Sequence, residues 1–502
     1  MKRSGKLRAT LFLAATALVI CIWYSPVFAH AKLLRTQPEN NATIKQPPQD
    51  VELWFNEELQ PQFNTITVTD QNGKRVDKNN ISLAEDNKKL HIDLENVGSG
   101  TYTVMWKVLS ADQHTMKGQF TFKVEISSGA GATPTQSSAQ AASPQTPPAE
   151  PTQEATATFG SSIVRWFQYL ASMTLFGGFL FQLLILNPAL RQAGGSDDDQ
   201  TTEPLKDSKS GFAKLSWLSL TLLTLSLIAS LIAETAMVHD VGVAQALAPS
   251  RIYQVLMSTG FGGPWILQLV MLVIVAVSLW LFAKGSQSWL LWVGVIALAV
   301  LFFALSSTGH AGAAAKEWRS ALISDWIHLL TAGLWVGGLF HLTLNLPRVI
   351  SPLALLQKMK LLAQVIRLFT WYAIPSTMLL ALTGVYNSWI HLDSFAELWN
   401  TTYGDTVLLK IAIFIPMLAL GGVNTFVIHP RAKRLAAFPA QTAHTDSLKV
   451  DRGFRRSVAL EAALGVVVLL AAAILVFLQP VREHPGMTEA TRPVSTITRN
   501  LR

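Results

Sequence analysis

GTYTVMWKVLSADQHTMKGQFTFKV, residues 100–124, decides the reading of the first part of the chain. Its two ends, TYTVMWKV and QFTFKV, are β-branched or aromatic and partly alternating, the pattern of strands with one buried face. Working back toward the N-terminus, VELWF, TITVTD and KLHIDL repeat that pattern, and DQNG and VGSG supply turns between them. Strands at this spacing over residues 30–126 predict a small all-β sandwich.

The segment that follows, residues 127–158, is SSGAGATPTQSSAQAASPQTPPAEPTQEATAT. It has too few large apolar groups to offset the entropy of ordering, so it reads as a disordered linker. From residue 159 to 480 the composition changes again. Eight apolar stretches, near 162–187, 212–234, 263–283, 288–308, 323–346, 367–391, 406–428 and 457–479, are long enough to cross about 30 Å of hydrocarbon. The whole chain of 502 residues is 50% hydrophobic and only 14% charged, which fits an all-α membrane domain of eight transmembrane helices. The net charge of +8 then reflects basic loops rather than a nucleic-acid surface. Arg191, Lys206, Lys209, Lys284, Arg348, Lys358, Lys360 and the basic run from Arg431 to Arg456 fall in the loops expected inside. The loops expected outside hold chiefly Arg251, Lys316 and Arg319, with a tail at 481–502 also outside. The prediction is a multi-pass plasma-membrane protein in contact with lipid, its N-terminal domain extracellular or periplasmic.

The first 29 residues read as a signal peptide: MKRSGKLR is basic, ATLFLAATALVICIWY is apolar, and Val27 and Ala29 occupy the small-residue positions of a cleavage site. An uncleaved anchor helix is the other reading. The single cysteine, Cys21, lies within this segment, so a cleaved chain has no thiolate with which to bind metal. Cleavage after Ala29 in VFAHAKLL makes His30 the first residue. Its free amine and its ring Nδ1 then chelate one ion as a pair, which favours Cu(II). In SADQHTM, Asp112 and His114 are two apart and face one side of an extended segment. Alone they read as a surface pair; with His30 they give three nitrogens and an oxygen.

Inside the apolar stretches, polar groups are costly and point to function. His239, His310, His328 and His391 fall toward the expected outer face, and His341 and His429 toward the inner one. Histidines hydrogen-bonded at helix ends are the bland reading for most of them. In SDWIHLLTAGLWVGG, residues 324–338, Asp325 lies one helical turn from His328 and is expected to orient its ring. His328 and His341 are about 20 Å apart along one helix, so they mark two ends of a path and not one site. Gly337 and Gly338 predict close helix contact. Met173, Met378 and Met417 read as apolar filler or as soft Cu(I) ligands.

HAKLLRTQPENNATI, VELWFNEEL and the stretch at 100–124 resemble the CopC copper-binding family across the first domain. That resemblance implies a Greek-key, Ig-like sandwich that holds Cu(II) through His30, Asp112 and His114, with Glu57 matching a family acidic residue near the metal. The region TVTDQNGKRVDKNNISL has neither Met nor His, which argues against the Cu(I) site of some relatives. STGHAG, SDWIHLLTAGLWVGGL, LTGVYNSW, TTYGDTVLLKIAI, GGVNTF and RRSVALEAALGVVVLLAAAIL resemble the CopD family. The fusion is similar to the YcnJ type of bacterial copper-import protein. Arg456 and Glu461, in RRSVALEA, read as a structural ion pair.

The resemblance implies a copper-binding membrane protein for uptake and homeostasis and not an enzyme. Copper is the cargo, and other copper-handling membrane proteins are compatible partners. No P-loop and no DKTG motif occurs, so nucleotide is not expected. Copper resistance by extracellular sequestration remains open, as does a membrane haem or copper oxidoreductase with paired histidines such as His310 and His328.

Overall fold

The computed structural model describes residues 33–56, 58–110, 115–126, 155–193, 202–285, 287–309, 318–392, 394–437 and 443–478. They form two units. One holds the sandwich together with Ile228–Leu267; the other holds Ser162–Leu227 and the chain from Gln268 onward.

The sandwich has two four-stranded sheets. The first runs β1 (Leu33–Gln37), β3 (Asp50–Phe55), β6 (Lys89–Asp93), β5 (Ser82–Ala84). The second runs β2 (Thr43–Ile44), β8 (Thr115–Val124), β7 (Gly100–Leu109), β4 (Thr65–Thr69). Alternation decides which faces meet: Val51, Leu53, Leu90 and Ile92 from one sheet and Val104, Val108, Phe122 and Val124 from the other are buried in one core. Phe55 and Trp106 meet edge to face at 5.6 Å across it. Gly118 lies beneath the Trp106 ring, where a Cβ would come within 2.6 Å of the indole. The DQNG turn forms as its residues require: Gly73 has a φ of +77°, and Asp70 Oδ1 accepts the Asn72 and Lys74 amides at 2.9 Å each.

A buried carboxylate pins the loop after β4. Asp77 accepts the Val68 amide at 2.8 Å, the Asn79 amide at 3.1 Å and the Arg75 Nε–H at 2.8 Å. Burial alone would raise its pKa. The Arg75 guanidinium and the two amides outweigh that and hold it below the ordinary carboxylate value.

The helical unit is built from α1 (Ala155–Leu180), α2 (Thr202–His239), α3 (Gly262–Gly285), α4 (Trp289–Ser306), α5 (Trp318–Leu344), α6 (Leu355–His391), α7 (Thr402–Val423) and α8 (Ala443–Leu475), with α2 and α3 reaching into the other unit. Among the described residues these supply eight helices long and apolar enough to cross a membrane, as the sequence predicts. α1 and α7 each run on through a π-helical turn, Phe181–Leu186 and Asn424–Ile428. α1 and α5 approach through glycine. A Cβ on Gly337 would strike the Met173 carbonyl and stand 3.0 Å from the Gly177 Cα, so the expected close contact is present. Gly338 lies against the Phe369 ring of α6.

Candidate metal-handling sites

His30, Glu57, Asp112 and His114 lie outside the described residues, as does His310. The frame around the Asp112–His114 segment is described. β7 and β8 pair in register from Gly100↔Val124 to Leu109↔Thr115, leaving five residues, 110–114, to close the hairpin. Its base is tied to the segment at 59–64. Leu59 bridges Ser110, Gln60 donates its amide to the Leu109 carbonyl at 2.8 Å, and Asn64 Oδ1 accepts the Leu109 amide at 3.2 Å.

That segment also carries a contact that the sequence does not announce. Phe63, next to Asn64, meets the His239 ring edge to face at 5.2 Å. His239 ends α2, and its ring nitrogens lie 3.3 Å from the Thr235 carbonyl and 3.0 Å from Gln254 Oε1. Beside it, Lys107 Nζ donates to the Val238 carbonyl at 3.1 Å. Burial lowers the Lys107 pKa; Asp240 offsets part of this and Lys117 adds to it. His239 therefore stands against the segment that braces the Asp112–His114 hairpin.

On the outward face of the first sheet, Asp50, Glu52 and His91 gather with ligand atoms within 4.8 Å of one another. The register explains it: Glu52 pairs with His91 and Asp50 with Asp93 across β3 and β6. His91 Nδ1 is 3.5 Å from Glu52 and its Nε2 is 3.1 Å from Asp93. Lys89 already supplies a cation there, with its Nζ 2.6 Å from Glu52 Oε1. The arrangement is an ion-pair network with the donor types of a metal site.

In the helical unit, Asp325 and His328 do not pair. Asp325 accepts a hydrogen bond from Ser306 of α4, and His328 Nδ1 lies 2.9 Å from Thr383 Oγ1 of α6. Residues three apart point about 60° from each other on a helix, and here each finds a different neighbour. Two cations outside the candidate set drawn from the sequence are electrostatic neighbours of Asp325, namely Arg165 of α1 and Lys410 of α7; Lys410 also acts on His328. Their signal was available, since each is a charge set inside an apolar span.

His341 is fully buried, its Nε2 donating to the Thr174 carbonyl at 3.2 Å while Nδ1 has no partner. One turn on, the Asn345 side chain is also fully buried with neither amide atom bonded. His391 is 7% exposed and lies 6.2 Å from the Tyr403 ring. Met173 and Met417 are buried, whereas Met378 is 62% exposed on the outside of its helix. Arg456 and Glu461 do not form the expected ion pair. Glu461 accepts from Trp335 Nε1 at 3.2 Å and from Asn424 Nδ2 at 3.3 Å. Five residues along a helix turn side chains about 140° apart, too far to meet.

Residues 33–125 match the CopC domain, 156–320 the copper resistance protein D-like N-terminal domain, and 363–475 copper resistance protein D. The E. coli (strain K12) protein YobA is 34% identical over 121 residues, 24% of this chain and 94% of YobA. The chain belongs to the CopC–CopD copper family. Copper transport protein CutJ of Bacillus subtilis (strain 168) is 27% identical to this CopC–CopD protein over 453 residues, 89% of the chain and 74% of CutJ. Copper resistance protein D of Pseudomonas syringae pv. tomato is 28% identical over 328 residues, 64% of the chain and 97% of that protein. Copper is thus the ion this family handles, and the CopC–CopD protein joins a sandwich to a multi-pass helical part.

Proposed function

We propose that the chain captures Cu(II) outside the membrane through His30, Asp112 and His114, with Glu57 at the edge of the site, and passes copper inward through its helical part. The observation that carries this reading is the likeness to a protein named for copper transport over 89% of the chain. The physical support is the polar content of one helix, α5, half-buried at Asp325 and His328 and fully buried at His341 and Asn345. Asp325, His328, His341 and Asn345 succeed one another along α5 or its end, where lipid-facing apolar residues would cost less. His239, braced against the segment beneath the Asp112–His114 hairpin, is the first membrane-side acceptor in this scheme. His391 and, with it, His310 complete the outer set.

Radiocopper flux into proteoliposomes holding the purified chain tests the reading. Copper accumulation above empty vesicles is expected, and its absence overturns transport. The relatives named for copper resistance support a second reading, sequestration without transport. A deletion strain separates the two: uptake predicts a lower cellular copper content, and sequestration predicts greater copper sensitivity. An absorption spectrum of the purified protein without a Soret band removes the haem reading.

A further inference from the structure

Glu461 is 1% exposed, and it lies where the helical unit leaves space. A recess of about 190 Å³ opens between α5, α6, α7 and α8, with Glu461, Trp335, Asn424, Thr370 and Thr425 on its wall. Phe426 stands at its rim, 77% exposed. Glycine clears the approach: a Cβ on Gly421 of α7 would stand 3.6 Å from Glu461 Oε1.

Among the described residues no cation pairs with this carboxylate, whose partners are Trp335 and Asn424. Of the side chains that line the recess from α5, α6, α7 and α8, Glu461 alone is ionisable. The short helix His429–Ala437, which also packs on α8, brings Arg431, Lys433 and Arg434, and none of them lines the recess. Asp451, ten residues earlier on α8 and about 15 Å along its axis, already holds Lys358 at 2.9 Å and Arg455 at 3.1 Å. A bare carboxylate among apolar helices is costly, and the smallest group that neutralises it is a proton.

The two partners of Glu461 differ in what they allow. Trp335 Nε1–H donates only. Asn424 donates through Nδ2 to Glu461 Oε2, while its Oδ1 is buried without a partner. Rotating this amide exchanges a donor for an acceptor, so Asn424 satisfies the carboxylate in one orientation and the carboxylic O–H in the other. Asn424 also opens the π-helical turn of α7, a distortion that recurs at functional positions.

We infer that Glu461 is a proton-binding site inside the helical unit, reached through the recess, with Asn424 as its switchable partner. Its coupling to copper movement rests on the transport reading above; the proton site itself does not.

Infrared difference spectra of the full chain, acid minus alkaline, test the site without any flux. A carboxylic C=O band present in the wild-type chain should be lost in Glu461→Gln and retained, shifted, in Glu461→Asp. The same band in Glu461→Gln as in wild type overturns the proposal. Asn424→Leu, which removes the amide but leaves Glu461, should move the band in frequency; an unmoved band overturns the switch. Copper flux under an imposed pH gradient then tests the coupling. The gradient should change wild-type flux and leave Glu461→Gln flux unchanged, and equal responses overturn coupling. A wild-type chain that moves no copper at all defeats the transport reading, while the infrared result still stands or falls on its own.

Discussion

The sandwich and the helical unit solve the same problem, placing polar groups, in opposite ways. In the sandwich, polar side chains sit on outward faces or in loops, and the interior at Val51, Leu53, Ile92 and Phe122 is apolar. Its polar clusters are set by register: Glu52 meets His91 because β3 and β6 pair there. In the helical unit the polar groups are inside, and lipid leaves them no water to fall back on. Several are matched by a residue from another helix, Asp325 by Ser306, His328 by Thr383, Glu461 by Trp335 and Asn424, whereas His341 Nδ1 and the Asn345 amide are buried without a partner. Capture of an ion from water suits the first arrangement, and passage through lipid needs the second.

The largest effect is expected where the contrast is greatest, at the chain start. Residues 30–126 beginning at His30 should bind one Cu(II), and the same segment with a methionine before His30 should bind it far more weakly. Loss of a partner one shell out costs about 10–100-fold, so loss of the amine should cost more than about 100-fold. Competition titration against a chelator of known affinity measures it, and equal affinities break the chelate argument. His114→Ala should weaken binding in the same assay.

Next comes the buried carboxylate of the sandwich. Asp77→Asn removes a charged acceptor of two amides and a guanidinium and should cost about 2 kcal/mol of sandwich stability. The pH dependence has a definite sign. The folded carboxyl titrates below its ordinary value, so its contribution is present in full above the ordinary carboxylate range and is lost as the pH falls through the lowered value. Denaturant titrations of wild type and Asp77→Asn should therefore converge in acid, and a gap that stays constant with pH would break the assignment.

How much of this could be read beforehand also divides along the same line. VELWF, TITVTD, KLHIDL, TYTVMWKV and QFTFKV are β3, β4, β6, β7 and β8 within a few residues. β1, β2 and β5 carry no such pattern, since they are short strands at sheet edges with little buried apolar surface. All eight membrane helices follow from hydropathy, although α6 starts at Leu355 because Lys358 and Lys360 hide its first turns. Asp325 and Glu461 have partners other than those their spacing along one helix predicts. Helical spacing says which residues share a face of one helix, and it does not say which residue of another helix arrives there. Arg165 and Lys410 are legible as charges inside apolar spans, but their approach to Asp325 is not.

His328→Asn tests whether the helical interior binds copper or merely satisfies its own polar groups. Asparagine keeps hydrogen-bonding capacity toward Thr383 but is a poor copper ligand. Membrane levels and outer Cu(II) binding should be unchanged, with copper uptake reduced at least about tenfold, since losing even a group that only supports a metal ligand costs about 10–100-fold. Normal uptake at normal protein level returns His328 to a packing role beside Thr383 and Gly384.

The smallest effect is expected at the seam where the sandwich rests on the end of α2. Phe63 and His239 form an edge-to-face pair, which contributes about 1 kcal/mol beyond its buried area. Phe63→Ala should raise hydrogen exchange in residues 228–267 by roughly the matching factor of five and leave the helices beyond them unchanged. Lys107 gives the seam a pH dependence. Burial lowers its pKa, so the docked chain binds fewer protons than the undocked one, and docking strengthens as the pH rises from the lowered value to the ordinary lysine value. Lys107→Met has no group to titrate, so exchange corrected for its intrinsic rate should lose this alkaline protection. If the variant keeps it, another group governs the seam, and the Val238 carbonyl contact is incidental to docking.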